Sequence, residues 1–306
     1  MSTDAILPFF PDWFRFDPTG GSPIVAVAAI LLFVWYLRGA IWLWSHRRRW
    51  SVPRTLSFVL GCAVMFVIAT FGVNRYASVS LTALMFQQIT AITVIPPLLI
   101  VGSPGRLLLR STPHRRIGLL ILKAAHAGLR SRWTRMLLHP FMPIAIALAV
   151  FPALYLTDAI SAVMATPIGA ALLLAFFVVA GIVAAVPLWS SDPLPRAPSF
   201  PARLIDIFVE IQIHAILGLI LIRAGKPLFA AYSTPQQAVD PAYDQAVAGM
   251  LLWTYAELPL LVVLIVCLSR WHSRDRRQAR MNESREEAEL DEYNAYLERI
   301  DQKNRH

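Results

Sequence analysis

The sequence is short of charge, of cysteine and, over long stretches, of any lysine or arginine. Only 15% of its 306 residues are charged, while 57% are hydrophobic and the mean hydropathy is +0.55. Soluble domains carry charge on about a quarter of their residues, so this composition excludes an ordinary water-soluble domain. The two cysteines, Cys62 and Cys267, lie in separate apolar stretches, which excludes a disulfide framework. They read as small packing residues, with a metal-binding pair as the alternative. The N-terminus lacks the basic, apolar and cleavage regions of a signal peptide, and Asp4, Asp12, Arg15 and Asp17 make it slightly acidic. The first apolar stretch is therefore expected to be retained. No phosphate loop, nucleotide motif or nucleophile–base pair stands in any loop, and a non-enzymatic role is expected. No lysine lies within Val247–Leu268, which excludes a retinal Schiff base there.

What is present is a set of seven apolar stretches, each near the ~20 residues that cross a bilayer core of ~30 Å. They run from Ile24 to Trp44, Leu56 to Val73, Val79 to Val101, Pro143 to Ile160, Ile168 to Leu188, Leu204 to Ile222 and Val247 to Leu268. The connecting segments alternate in positive charge. Arg47, Arg48, Arg49 and Arg54 follow the first stretch, and only Arg75 follows the second. Arg106 to Arg135 follow the third, and none follows the fourth. Arg196 and Arg203 follow the fifth, Arg223 and Lys226 the sixth, and an arginine-rich tail from Arg270 the seventh. Basic loops stay in the cytoplasm, so the pattern predicts an all-α, seven-span protein with its N-terminus outside and its C-terminus inside. The expected divisions are a tail over 1–23, a spanning domain over 24–270, and a basic then amphipathic cytoplasmic tail over 271–306. The net charge of +9 is explained by span ends and anionic lipid, not by nucleic acid.

Proline and glycine punctuate the connections. Pro18-Thr-Gly-Gly21 precedes the first span, and the proline-rich Asp192–Pro198 reads as an extended crossing. Between Arg106 and His139, leucine and isoleucine alternate with basic residues, which suits an amphipathic helix at the headgroups. In the tail, Ser284-Arg-Glu-Glu287 reads as a capping box, with Leu290, Tyr293, Leu297 and Ile300 at helical spacing beyond it.

Ionisable groups inside a span cost about 2.5–3.5 kcal/mol on insertion scales, so each is a functional candidate. Arg38 and Asp206 are close enough to span ends to reach the headgroups. The deeper groups are Gln87 and Gln88 in span three, Glu210, Gln212 and His214 in span six, and Glu257 in span seven. Counted inward from the span ends, Gln88, His214 and Glu257 lie roughly 15 Å deep, near one plane. They read as an interhelical hydrogen-bond network, as a metal site with Met85 or Met250 as soft donors, or as a proton-carrying chain. His214 and Glu257 are expected to be within reach of each other.

Two stretches are distinctive: Leu84-Met-Phe-Gln-Gln88 followed by Ile95-Pro-Pro-Leu-Leu-Ile-Val-Gly-Ser-Pro104, and Asp244-Gln-Ala-Val-Ala-Gly-Met-Leu-Leu-Trp253 followed by Glu257. Together they resemble the caa3-type CtaG family of cytochrome c oxidase assembly factors, multi-span bacterial membrane proteins. Met85, Gln87, Pro96, Pro97, Asp244, Gln245, Gly249, Trp253 and Glu257 match the family's pattern. Leu84 and Gln88 stand where that pattern has histidines, and spans four and five contain no histidine. The resemblance implies a bacterial inner-membrane factor linked to copper delivery or subunit maturation, with an oxidase subunit or a copper chaperone as partner. A transporter for copper or another small solute is the alternative. The candidate metal ligands are His214, Met85, Met250 and Glu257. Gln87, Gln88, Glu210, Asp244, Gln245 and Trp253 form the candidate polar or partner-binding cluster. With the span-three histidines absent, copper affinity is expected to be weak, since an amide is a poor ligand for Cu(I). Pro96 and Pro97 are expected to kink or unwind span three, and Asp244 reads either as a cap at the start of its own helix or as a member of the polar or partner-binding cluster.

Overall fold

A computed structural model describes residues 10–17, 22–113, 115–139, 141–189, 200–233 and 239–304. Pro18–Gly21 and Asp192–Pro198 lie outside the described residues, as do the side chains of Leu297 and Ile300. The described chain is helical, with no strand and only an isolated bridge between Phe16 and Phe71.

A single turn, α1 (Phe10–Trp13), precedes α2 (Pro23–Ser45) and α3 (Val52–Thr70), which pack as a hairpin. Pro23 and Pro53 open these helices, where a missing N–H costs nothing because the first-turn donors have no intrahelical acceptor. The short α4 (Gly72–Tyr76) leads into α5 (Leu81–Ile89), a π-helical turn (Thr90–Val94) and α6 (Ile95–Val101). Then follow α7 (Pro104–Ser111), α8 (Arg116–Arg130), α9 (Arg132–Leu137), α10 (Met142–Tyr155), α11 (Ala159–Met164), α12 (Pro167–Trp189) and α13 (Phe200–Arg223). A 3-10 turn (Ala230–Tyr232) precedes α14 (Pro241–Asn304), which is 64 residues long.

Among the described residues, six helical segments are long and apolar enough to cross a membrane: Pro23–Ser45, Val52–Thr70, Leu81–Ser111, Pro167–Trp189, Phe200–Arg223 and Pro241–Ala295. The remaining predicted span corresponds to α10, whose 14 residues reach only about 21 Å. Asp158 and Ser161 then tie the start of α11 to the backbone N–H groups of Ala230 and Ala231.

The proline pair does not break the third segment. Pro96 and Pro97 lack the N–H groups that a regular helix would direct to Ile92 and Thr93, and the wider π-helical turn sits immediately before them. Gly181 of α12 is set against this turn. A methyl group there would lie 2.4 Å from the Ile92 carbonyl oxygen and 2.7 Å from the Pro96 ring, so close approach of α12 requires glycine. Past α6, Tyr36 stacks on Phe58 at 3.9 Å and donates from its hydroxyl to the Gly102 carbonyl at 2.7 Å. Ser103 then takes a left-handed turn, φ 53°, into α7.

The chain divides into two compact units, Met1–Leu261 and Val262–His306. The first holds the helix-packed core, in which Tyr36, Leu81, Met85, Tyr155 and Phe177 are buried. The second is the continuing helix of α14. Ser284 lies in its interior and donates to the Arg280 carbonyl at 3.0 Å, so the capping box expected there does not form. Arg285 and Glu289 pair one turn apart, and Leu290 and Tyr293 are exposed.

Candidate functional site

Asp244 sits in the first turn of α14, yet the helix it caps is α5. Its carboxylate accepts from Leu81 N at 2.6 Å, Thr82 N at 3.3 Å and Ser80 Oγ at 2.9 Å, while Thr82 Oγ1 donates to the Asp244 carbonyl at 2.9 Å. A carboxylate meeting first-turn N–H groups satisfies orphan donors and the positive end of that helix together. The start of α14 is served instead by Asp240, which accepts from Tyr243 N. Of the two readings of Asp244, the cap on its own helix does not form: close packing of two helix ends puts the carboxylate nearer the neighbour's free donors.

Gln245 is saturated as well. Its Oε1 accepts from Leu228 N at 2.8 Å, and its Nε2 donates to the Leu221 and Lys226 carbonyls at 3.2 Å. It therefore fixes the end of α13 and the loop that follows. Tyr232 completes this end, donating to the Ala77 carbonyl at 2.8 Å. Burial, with the Asp244 charge adding to it, pushes the Tyr232 phenol above its ordinary value, so it remains a hydroxyl donor.

Gln87 and Gln88 leave α5 in different directions. Gln87 donates to the Ile68 carbonyl at 2.7 Å and to Asn74 Oδ1 at 2.8 Å, joining α5 to the end of α3 and to α4. Gln88 Oε1 accepts from the Tyr155 hydroxyl of α10, and its Nε2 is buried with no hydrogen-bond partner. Tyr155 stacks on Phe151 at 6.0 Å, and Phe151 meets the His214 ring edge-on at 5.4 Å. The His214 imidazole is 5% exposed, and its Nδ1 is also unpaired. Gln88, Tyr155, Phe151 and His214 thus form one buried group drawn from α5, α10 and α13, with two unpaired polar nitrogens.

The other predicted members are placed differently. α13 and α14 cross where Gly218 faces Gly249. A methyl at Gly218 would lie 2.7 Å from the Gly249 carbonyl oxygen and 3.1 Å from the Trp253 Cβ. The two helices run antiparallel here, since Gln245 reaches Leu221. One further turn along each puts His214 level with Trp253, and the next puts Glu210 level with Glu257. No hydrogen bond or ion pair joins His214 to Glu257 among the described residues, and Glu257 is half-buried. Counted from the glycine crossing, Glu257 thus stands about one turn from the level of His214. Met85 is fully buried, whereas Met250 is 46% exposed and Trp253 42% exposed, so the two thioethers differ in environment. Gln212 is exposed as well. Asp206, expected at the headgroups, is buried with Oδ1 unpaired, one turn from the half-buried Glu210. Among the described residues, no group of three or more His, Cys, Asp or Glu side chains could hold a metal ion.

Tyr155, in the Pro152-Ala-Leu-Tyr155 run of span four, is a polar partner absent from the sequence-derived candidates. A tyrosine hydroxyl in an apolar helix needs a partner when buried, and that was the available signal. Ser80 and Thr82 carried a signal too, since Ser80 and Ala83 form an ordinary N-cap pair at the start of α5.

The family described as cytochrome c oxidase caa3 assembly factor (Caa3_CtaG) matches residues 34–274. Uncharacterized proteins of Mycobacterium bovis and Mycobacterium tuberculosis are each 26% identical to the chain over 301 residues, covering 94% of it and 44% of their own length. An uncharacterized protein of Mycobacterium leprae is 25% identical over 316 residues, covering 96% of the chain and 45% of its own. The chain therefore spans less than half the length of these relatives. No solved structure matches.

Proposed function

The chain belongs to the cytochrome c oxidase caa3 assembly factor family, and on that premise we propose that it assists maturation of a haem–copper oxidase in the bacterial inner membrane without itself being an enzyme. Seven spans, an outside N-terminus and a cytoplasmic C-terminus follow from the alternation of basic loops, with α10 and α11 together forming the fourth crossing. In this reading the spanning domain covers 24–270 and the tail 271–306. The partner is an oxidase subunit or a copper chaperone.

The observation that carries the reading is the contrast in saturation between the two polar regions. Asp244 and Gln245 have their side-chain hydrogen bonds filled by α5 and the end of α13, so they hold the bundle. Gln88 Nε2 and His214 Nδ1 are buried without partners, and a buried polar atom left unpaired costs about 1–3 kcal/mol. Such atoms mark where a partner segment or a transient cargo would be held.

Copper, where it passes through, is cargo. His214 supplies an imidazole, Met85 a buried thioether and Glu257 a carboxylate one turn away, while Met250 faces outward from the same bundle. That donor set suits weak, passing contact with Cu(I) and not a tight resident site. The test is a deletion strain: haem a absorbance and oxidase activity in its membranes should fall and be restored by the wild-type chain. Normal oxidase together with altered copper uptake or export would favour the transporter reading instead.

A further inference from the structure

Three arginines converge where α2, α3 and α7 meet, and none has an ion-pair partner among the described residues. Arg54 and Arg110 place their guanidinium carbons 5.9 and 5.8 Å from the centroid of the same Trp50 ring. Arg48 lies 5.5 Å from the Trp42 ring and donates to the Arg110 carbonyl at 3.5 Å. Like charges gathered in this way repel one another unless an anion sits among them. Among the described residues no carboxylate pairs with them: the ion pairs there lie elsewhere, at Asp17–Arg75 and Arg285–Glu289, and the sequence has no aspartate or glutamate between Asp17 and Asp158.

A second observation also indicates a ligand. Trp50 is 7% exposed, and its indole Nε1 is buried with no hydrogen-bond partner. The same loop ends on the N-terminus of the 19-residue α3, where Ser51 provides no side-chain cap, so the positive end of that helix is unscreened. Around the cluster, Trp44, Val52, Leu56 and Leu109 are exposed apolar side chains. An anion with attached hydrocarbon fits this combination, and an inorganic ion would leave the apolar rim uncovered.

We propose that Arg48, Arg54, Arg110 and Trp50 form a binding site for the phosphate headgroup of an anionic phospholipid, whose acyl chains lie along Val52 and Leu56. The site rests on α2 and α3 crossing the membrane and is independent of the oxidase role. Arginine is suited to it because its planar fork binds phosphate oxygens in pairs while its face stacks on an indole.

The experiment is native mass spectrometry of the full chain purified in a non-ionic detergent, titrated with phosphatidylglycerol or with phosphatidylcholine of the same acyl chains. Phosphatidylglycerol should bind at least about tenfold more tightly. Arg54→Gln with Arg110→Gln should bring the two lipids within about threefold, whereas Arg276→Gln with Arg277→Gln, equal in lost charge, should leave the preference intact. If the first pair does not yield folded protein, Arg48→Gln alone, altering an exposed side chain, should lower the preference about threefold. Equal binding of the two lipids by the wild type would overturn the proposal, and so would an equal loss in both double variants. Displacement of phosphatidylglycerol by millimolar inorganic phosphate would also overturn it, because the site would then be one for a free anion.

Discussion

Two buried polar regions of this bundle are similar in composition and opposite in state. At the start of α14, Asp244 and Gln245 hold Leu81, Thr82, Ser80, Leu228 and the end of α13 in bonds of 2.6–3.3 Å. Deeper in the bundle, Gln88 and His214 each keep an unpaired nitrogen. The first region is a clamp, and its energy is already committed to the fold. The second is stabilised by aromatic packing from Phe151 and Tyr155, and its polar capacity is left over. Burial alone does not identify a functional polar group in a membrane helix. Burial together with unfilled hydrogen-bonding capacity is the more discriminating sign.

The sharpest way to break the contrast is at the clamp. Asp244→Ala removes the acceptor for two backbone N–H groups and one hydroxyl and should destabilise the protein by about 3–5 kcal/mol. It should appear as a large drop in the thermal unfolding midpoint in detergent, with Asp244→Asn losing roughly half as much. A midpoint unchanged in Asp244→Ala would mean that the clamp carries no stability.

Next in size is the helix crossing beneath it. Gly218→Val places methyl groups against the Gly249 carbonyl and Trp253 and should cost about 1–3 kcal/mol by overpacking. Gly181→Ala probes the α12 contact with the π-helical turn and is expected to cost a similar amount. Unfolding midpoints for both, set beside Gly128→Ala at a position with nothing within 4 Å, would show whether close approach is the cause.

Smaller stability effects and larger functional ones are expected in the second region. Gln88→Leu strands the Tyr155 hydroxyl and should cost about 1–2 kcal/mol. His214→Phe keeps the edge-on ring contact and should alter stability by less than about 1 kcal/mol, because Nδ1 makes no bond to lose. Both should lower oxidase activity in the deletion strain below what their expression level explains. Wild-type oxidase with His214→Phe would make His214 a packing residue.

Met250 should matter least. Its side chain is exposed, so Met250→Leu should leave the unfolding midpoint, the oxidase activity and any bound copper unchanged. Copper stoichiometry measured for this variant beside Met85→Leu distinguishes the two thioethers, and a loss confined to Met250→Leu would relocate the cargo path to the outer face.

Much of this arrangement is legible in the amino-acid sequence itself. Charge parity and apolar run length indicate membrane helices because each is a local property of a segment, set by the cost of moving Lys or Arg across a bilayer and by the rise of a helix. The Asp-Gln and Pro-Pro runs pointed to the family, and the proline pair to an irregular third span, since loss of a backbone donor acts on its own turn. The bonds of Asp244 were not legible, because its neighbours Ser80, Leu81 and Thr82 are more than 160 residues away and only packing brings them to it. The same holds for the outward direction of Met250, the one-turn offset of Glu257 from His214, and the gathering of Arg54 and Arg110 on one indole. The sequence by itself determined which segments are helical, how apolar they are and which polar residues they carry. Tertiary structure alone decided which of those polar groups are filled and which remain free, because saturation depends on the rotation and offset of each helix against its neighbours, and glycines such as Gly181, Gly218 and Gly249 set these only once the helices touch.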